Sequence, residues 1–350
     1  MTGEKFQKYR SKTVTVSGCL LALFLAACGP SITVPPTLAA PSPISSLAVF
    51  TLAVTSTSVS SPSADNTAVT PAIPSEPALT STSTPLPADF WQKLPVMPDN
   101  ISERVGEIYR LGLSMGNNPH VFSRIGDCAS AAPDFLVGFD GKYNLGAYTY
   151  LQPAIDYFQG SFGRPSLAAK GGLNSAGLLT TLWTGAECLS GESLLNCQYR
   201  LDHPSFAIIS IGTNEAYYVH HDPASFEKNM RLIIEDTIAL GIVPILGTKA
   251  DNFEGDNSIN ATIARLAVEY QLPLWNFWLA VQPLPNQGLV DSSHLNTVSY
   301  ANFTDFSIPH SLEYGKQVRN LSALQMLYFL WQQLGVISPA GAAVTPTPTP

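Results

Sequence analysis

Charge is scarce in this chain. Only 13% of its 350 residues are Asp, Glu, Lys or Arg, and acids outnumber bases by 26 to 18. Neutralising a phosphate backbone needs clustered Lys and Arg, so this balance argues against a nucleic-acid partner. The sequence also lacks a Gly-rich phosphate loop, zinc-type Cys/His spacing and a dinucleotide fingerprint, so no cofactor and no metal are expected. No apolar run reaches the roughly 20 residues of a comfortable membrane span. The longest one lies close to the start.

That run, "TVTVSGCLLALFLAA", follows the basic residues Lys5, Lys8, Arg10 and Lys12 and ends in Leu25-Ala26-Ala27-Cys28. A basic segment, a short apolar core and small residues make an export signal over residues 1–27. The cysteine right after the small residues resembles a bacterial lipoprotein signal, which implies lipidation of Cys28 and a membrane anchor on an exported, extracytoplasmic protein. An ordinary secretory peptide or an uncleaved anchor are the alternatives. Losing residues 1–27 removes four bases and one acid, leaving 14 against 25 and a formal charge of −11. Residues 29–88 hold eleven prolines and only two charges, Asp65 and Glu76. Such a composition buries too little apolar surface to offset its ordering entropy, so 28–88 reads as a disordered stalk. The apolar run 44–57 inside it has no clear role. Residues 338–350 form a second low-complexity tail, which leaves 89–337 as the folded domain.

The second half of that domain alternates strand-like and helix-like runs. "SFAIISIG", "IVPILGT" and "LPLWNFW" read as buried strands; "PASFEKNMRLIIEDTIALG" and "SINATIARLAVEYQ" read as helices, and "YGKQVRNLSALQMLYFLWQQL" as a closing helix. Repeated strand-helix-strand units imply an α/β fold with a central parallel sheet covered on both faces. Functional residues in such folds gather at the carboxyl ends of the strands.

Three short motifs fall at such ends. "HVFSRIGDC" brings Gly126, Asp127 and Cys128 to the end of an early strand. "ISIGTNEA" places Gly212, Thr213 and Asn214 after the best strand, and "VDSSHLN" sets Asp291 three residues before His294. Acyl transfer requires a nucleophile, a base to take its proton, and donors aimed at the carbonyl oxygen as it becomes negative. Cys128, His294 and Asn214 suit those roles, with Asp291 fixing the tautomer of His294. Taken singly, each residue has a bland reading: a loop histidine, a turn-forming Asn, a small buried thiol.

In their order along the chain the motifs resemble the SGNH (GDSL-type) hydrolase family. That resemblance spans most of residues 116–335 and implies a flavodoxin-like three-layer α/β/α fold and action on carboxylic esters. It implies catalytic residues at Cys128, Asp291 and His294, and an oxyanion hole from the backbone of Cys128, a glycine and Asn214. "AAKGGLNSAGLL" offers Gly172 for that glycine, with Gly171 beside it; Asp127, Gly126 and Gly212 support the motifs. Two departures stand out. The family's serine is Cys128 here, and the acid after its Asn is Glu215, a longer side chain expected to brace a loop.

Five cysteines decide what Cys128 can be. Cys19 lies in the export signal, Cys28 would carry lipid, and Cys188 and Cys197 flank a short polar loop, which reads as a disulfide in an exported protein. Cys128 is then the odd thiol, in a position where a helix N-terminus and His294 would stabilise a thiolate. Three readings follow: a cysteine esterase or acyltransferase acting on an ester or acylated glycan, an inactive module binding a glycan or acyl ligand, or a neighbour, Ser130 or Ser123, supplying the hydroxyl. The last suffers from distance, because two residues along a turn displace an oxygen by several Å. His220, His221 and Asp222 could suggest a metal but read as a loop lining the pocket, and Trp275 and Trp278 read as packing residues.

Overall fold

The structure, a computed structural model, describes residue 87 and residues 89–218, 222–298 and 303–335. All of them belong to one compact unit, Thr80–Pro350. The expected export signal, Cys28, the expected stalk with its apolar run apart from residue 87, the expected C-terminal tail and the pair His220-His221 lie outside the described residues. No described helix is long and apolar enough to cross a membrane.

In chain order the regular elements are α1 (Glu103–Met115), β1 (Asn118–Gly126), α2 (Cys128–Ala131), α3 (Gln152–Tyr157), α4 (Ser175–Leu178), α5 (Leu194–Asp202) and β2 (Pro204–Ser210). Then follow α6 (Thr213–Tyr218), α7 (Pro223–Ala239), β3 (Val243–Gly247), α8 (Ser258–Glu269), β4 (Leu274–Trp275), α9 (Phe277–Val281) and α10 (Gly315–Gly335). The four strands form one all-parallel sheet in the order β1-β2-β3-β4. All seven residues of β2 and all five of β3 are buried, as strands covered on both faces must be. This is the three-layer α/β/α arrangement expected from the alternation.

One further pairing completes the topology. Gly126 already pairs with Ser210 of β2, and on its other side it bridges Ala169 in parallel, with Gly126 N–H donating to Ala168 O (2.9 Å) and Lys170 N–H donating to Gly126 O (3.1 Å). Counting residues 168–170 as a minimal strand, the order runs second, first, third, fourth, fifth. That is the flavodoxin-like order, whose reversal point lies beside the end of β1.

One expectation shifts in detail. The run "LPLWNFW" is a strand only at Leu274–Trp275, because the buried Asn276 caps a new helix: its Oδ1 accepts from Leu279 N–H at 3.3 Å. Phe277 and Trp278 are therefore helical. Trp275 and Trp278 do pack, the first donating to Ser322 Oγ (3.1 Å), the second edge-on to Trp91 at 4.7 Å. Cys188 and Cys197 form the disulfide, which ties the loop before α5 into that helix.

The junction of β1 and β2 leaves no room for a side chain. Gly126 has φ +149°, and a Cβ there would lie 1.9 Å from Ser210 O and 2.7 Å from Ser130 Oγ. Gly212 has the same constraint at the end of β2, with φ +146° and a Cβ position 2.6 Å from Ile259 Cγ2. Replacing Gly126 by Ala is expected to cost about 3 kcal/mol or more, combining strain and a backbone clash. Urea denaturation of the full chain, wild type against Gly126→Ala, checks this; equal midpoints would refute it.

Candidate active site

β1 delivers its last residues to the carboxyl edge and stops at Gly126. Asp127 caps α2, its Oδ1 accepting from Ala129 N–H at 3.1 Å, and Cys128 is the first helical residue, exposed to solvent. Ser130 is buried and donates to Ser210 O (3.0 Å), and the buried Ser123 donates to Asp202 Oδ2 (2.6 Å). Both hydroxyls are committed inside the protein, so neither serves as an outward-facing nucleophile in place of Cys128. The thiol is the group that faces outward.

Asp291 and His294 meet through local geometry. The Asp291 carboxylate accepts from the backbone N–H of Ser293 (2.9 Å) and of His294 (2.7 Å), which folds the chain into a tight turn. His294 Nδ1 then lies 3.0 and 2.9 Å from the two carboxylate oxygens. The two backbone donors, with the imidazole after them, lower the Asp291 pKa to about 2. The carboxylate is ionised at neutral pH, which fixes the Nδ1–H tautomer and leaves Nε2 as the acceptor. The turn is pinned to α10: Leu289 bridges Leu295, Asn296 Oδ1 accepts from Gly315 N–H (2.7 Å), and Lys316 N–H donates to Asn296 O (3.1 Å).

Cys128, Asp291 and His294 line one cavity of about 310 Å³. Its other walls include Phe135, Val290, Lys316, Arg319 and Asn320. Gly172 and Asn214 are not among its lining residues. Asn214 Nδ2 donates to Leu173 O (2.8 Å), beside Gly172, and Glu215 Oε1 accepts from Ser175 N–H (2.5 Å). Glu215 thus braces a loop as expected of its position. Gly172 has φ +80°, a left-handed turn suited to glycine, a few residues past the bridge to Gly126.

The electrostatics of Cys128 correct one expectation. Its pKa is raised above the ordinary thiol value, first by burial of the sulfur and next by the Asp127 carboxylate, against an opposing pull from Arg319. The four-residue α2 carries little dipole, so the helix start does not dominate. Asp127 itself, 4% exposed, is pushed up to about 6 by burial.

The closing helix also supplies residues that the motifs did not indicate. Arg319 is buried at 5% exposure, and Lys316 pairs with the buried Asp134 at 2.6 Å. A usable signal was present: Arg319 lies on the same helical stripe as Ala323, Met326 and Leu330, all buried. Among the described residues one group of three potential metal-ligand atoms lies close together, Cys188, Glu192 and Cys197, and the disulfide consumes two of them.

No protein-family model and no curated protein matches the chain. Solved structures similar to it include a lipolytic protein of the G-D-S-L family from Desulfitobacterium hafniense, at 12% identity and TM-score 0.39, covering 59% of this chain and 98% of that one. An acetylxylan esterase from Geobacillus stearothermophilus is similar at 14% identity and TM-score 0.37, covering 60% and 94%. A peptidoglycan O-acetylesterase is similar at 17% identity and TM-score 0.32, covering 47% and 46%.

The raised Asp127 carboxyl makes a signed prediction. With a folded pKa near 6 and an ordinary value of 3.8, the folded state binds the extra proton between those limits, so its stability falls as pH rises from about 4 to 6 and then levels. Asp127→Asn keeps the cap and removes the charge. Relative to wild type it should gain stability across that window, by about 1–3 kcal/mol in total, and stay constant above it. Urea melts at pH 4, 5, 6 and 7 check the slope; parallel curves for the two proteins would exclude it.

Proposed function

We propose that this chain is a surface-anchored carboxylic-ester hydrolase with Cys128 as nucleophile, His294 as base and Asp291 as the residue orienting that base. One observation carries the reading. Cys128 and a preformed Asp291–His294 pair, 163 and more positions apart in the sequence, line the same cavity. The Leu25-Ala26-Ala27-Cys28 run supports the anchor, which would present the domain to surface polymers and makes an acylated glycan a fitting substrate.

In this reading the Cys128 thiol passes its proton to His294 Nε2 as Sγ bonds to the carbonyl carbon. Negative charge moves to the carbonyl oxygen, for which the backbone N–H of Cys128 is the donor placed at the cavity; Gly172 and Asn214, the other two donors the resemblance implies, do not line it. As the tetrahedral species collapses, the ester C–O bond breaks and His294 returns the proton to the departing alkoxide. A water then gives a proton to His294 and attacks the thioester; release of the acid restores the thiol. Asp291 stays ionised throughout and stabilises the imidazolium.

The raised thiol pKa supports a second reading, in which the site binds an acyl or glycan ligand without turnover. Hydrolysis of a short-chain activated ester by the full-length protein, with Cys128→Ala, Cys128→Ser and His294→Ala, separates the two. The hydrolase reading expects turnover in wild type, an acyl adduct on Cys128 by mass spectrometry, and a fall of at least about a hundredfold in both alanine variants. An inactive wild type with activity appearing in Cys128→Ser would instead establish the binding role.

A further inference from the structure

Arg319 is the charge in this site that its hydrogen bonds explain least. Its Nη2 reaches only Ser210 Oγ at 3.3 Å and Ser130 Oγ at 3.4 Å, and its Nε has no hydrogen-bond partner. The guanidinium instead lies over aromatic faces, 4.3 Å from the ring centre of Phe135, 5.4 Å from Trp275 and 5.5 Å from Phe277. Burial lowers its pKa to about 10, which still leaves it charged at neutral pH. A buried cation without a close salt bridge is costly to keep.

The charges around Cys128 show where this one acts. Asp127 lies on its own turn, Asp134 follows α2, Asp291 and His294 face it from the loop before α10, and Lys316 and Arg319 face it from α10. Lys316 is paired with Asp134 at 2.6 Å, and Asp291 with His294 at 2.9 Å. The Lys316–Asp134 pair largely cancels at the sulfur, whereas the Asp291–His294 pair, with its imidazole neutral, keeps one negative charge. Asp127 and Arg319 remain as the two charges beside it without a close salt bridge; each is the other's strongest charged neighbour, ahead of Asp251 and Glu215 at Asp127 and of Asp134 at Arg319. Arg319 lines the cavity with Cys128 and reaches the hydroxyl of Ser130, which shares the four-residue α2 with that cysteine.

We propose that Arg319 is a positioning residue for a sulfur nucleophile: a standing positive charge, held by three aromatic rings behind α2, that stabilises the Cys128 thiolate as the thiol gives its proton to His294. A serine alcohol does not ionise in its resting state and gains little from such a charge, whereas a thiol titrates near it. The inference rests on the reading of Cys128 as the reacting group. It adds the device that lets the thiol ionise beside Asp127.

The test measures the thiol directly. The full-length protein is treated with iodoacetamide at pH 7.0 to 9.5, and alkylation is followed on the Cys128 peptide by mass spectrometry, so that other cysteines do not contribute. Below its pKa the thiol reacts in proportion to its thiolate fraction. Arg319→Met is expected to slow alkylation at pH 7.5 by about tenfold, the effect of a shift of one pH unit in thiol ionisation, and to displace the profile toward higher pH. Arg319→Lys should stay within about threefold of wild type, since the charge is retained. Arg319→Gln, which keeps polar hydrogen-bonding capacity without charge, decides the question if the methionine variant fails to fold.

Superimposable profiles for wild type and a folded Met or Gln variant would overturn the inference, as would a Lys variant as slow as Gln. Ester turnover is read separately. A wild type that hydrolyses esters while alkylation ignores Arg319 removes this inference alone. A wild type without turnover or adduct, whose alkylation still depends on Arg319, removes the hydrolase reading and leaves the electrostatic coupling in place.

Discussion

Gly126 and the carbonyl of Ser210 meet so closely that no side chain fits between them, and the site is assembled around that contact. Because β1 and β2 close on each other there, the chain must leave the sheet at once, which sets Asp127 as a cap and Cys128 at the exposed start of α2. The same Ser210 accepts the hydroxyl of Ser130 at its carbonyl and offers its own hydroxyl to Arg319. On the opposite side of Gly126, residues 168–170 add the short pairing from which the Gly172 turn emerges. One tight backbone approach therefore fixes the thiol, the buried cation and the glycine turn relative to the sheet.

Sulfur changes what such a site needs. An oxygen nucleophile depends on its base and on donors for the oxyanion; in the proposed reading the Asp291–His294 turn supplies the first of these, and its carboxylate is held by two backbone N–H groups before the imidazole adds a third contact. A thiol adds a ground-state titration. Burial and Asp127 both push Cys128 toward the protonated form, and Arg319 is the cation that opposes them. The pairing of Lys316 with Asp134 matters for the same reason, since it removes the other nearby cation from the balance.

Much of this was legible in the sequence, for identifiable reasons. A short unbroken apolar run such as "SFAIISIG", rich in β-branched residues and closed by glycine, reads as a strand buried on both faces, and β2 is one. Asp291 and His294 are three residues apart, so their meeting is a local event that spacing alone anticipates. What escaped depends on single residues acting through the tertiary fold. The bridge at Ala169 is too short to leave a periodic signal, Asn276 ends β4 by capping rather than by breaking a pattern, and an arginine gives no sign that it will be buried except its place on an apolar helical stripe.

The loop that follows Gly172 is held by contacts of its own. Asn214 and Glu215 stand side by side at the start of α6 and reach into one loop, the amide to Leu173 O and the carboxylate to Ser175 N–H. Asn174, between those two contacts, caps α4 through Gly177 N–H at 2.9 Å. The loop is thus held by α6 and by its own helix start, while the Asp291–His294 turn is held by α10. Two rigid supports approach the same strand ends from independent elements, and Cys128 belongs to neither. A glutamate in this position reaches the loop amide across a longer span than an aspartate would, so the loop can sit further from α6 without losing its brace.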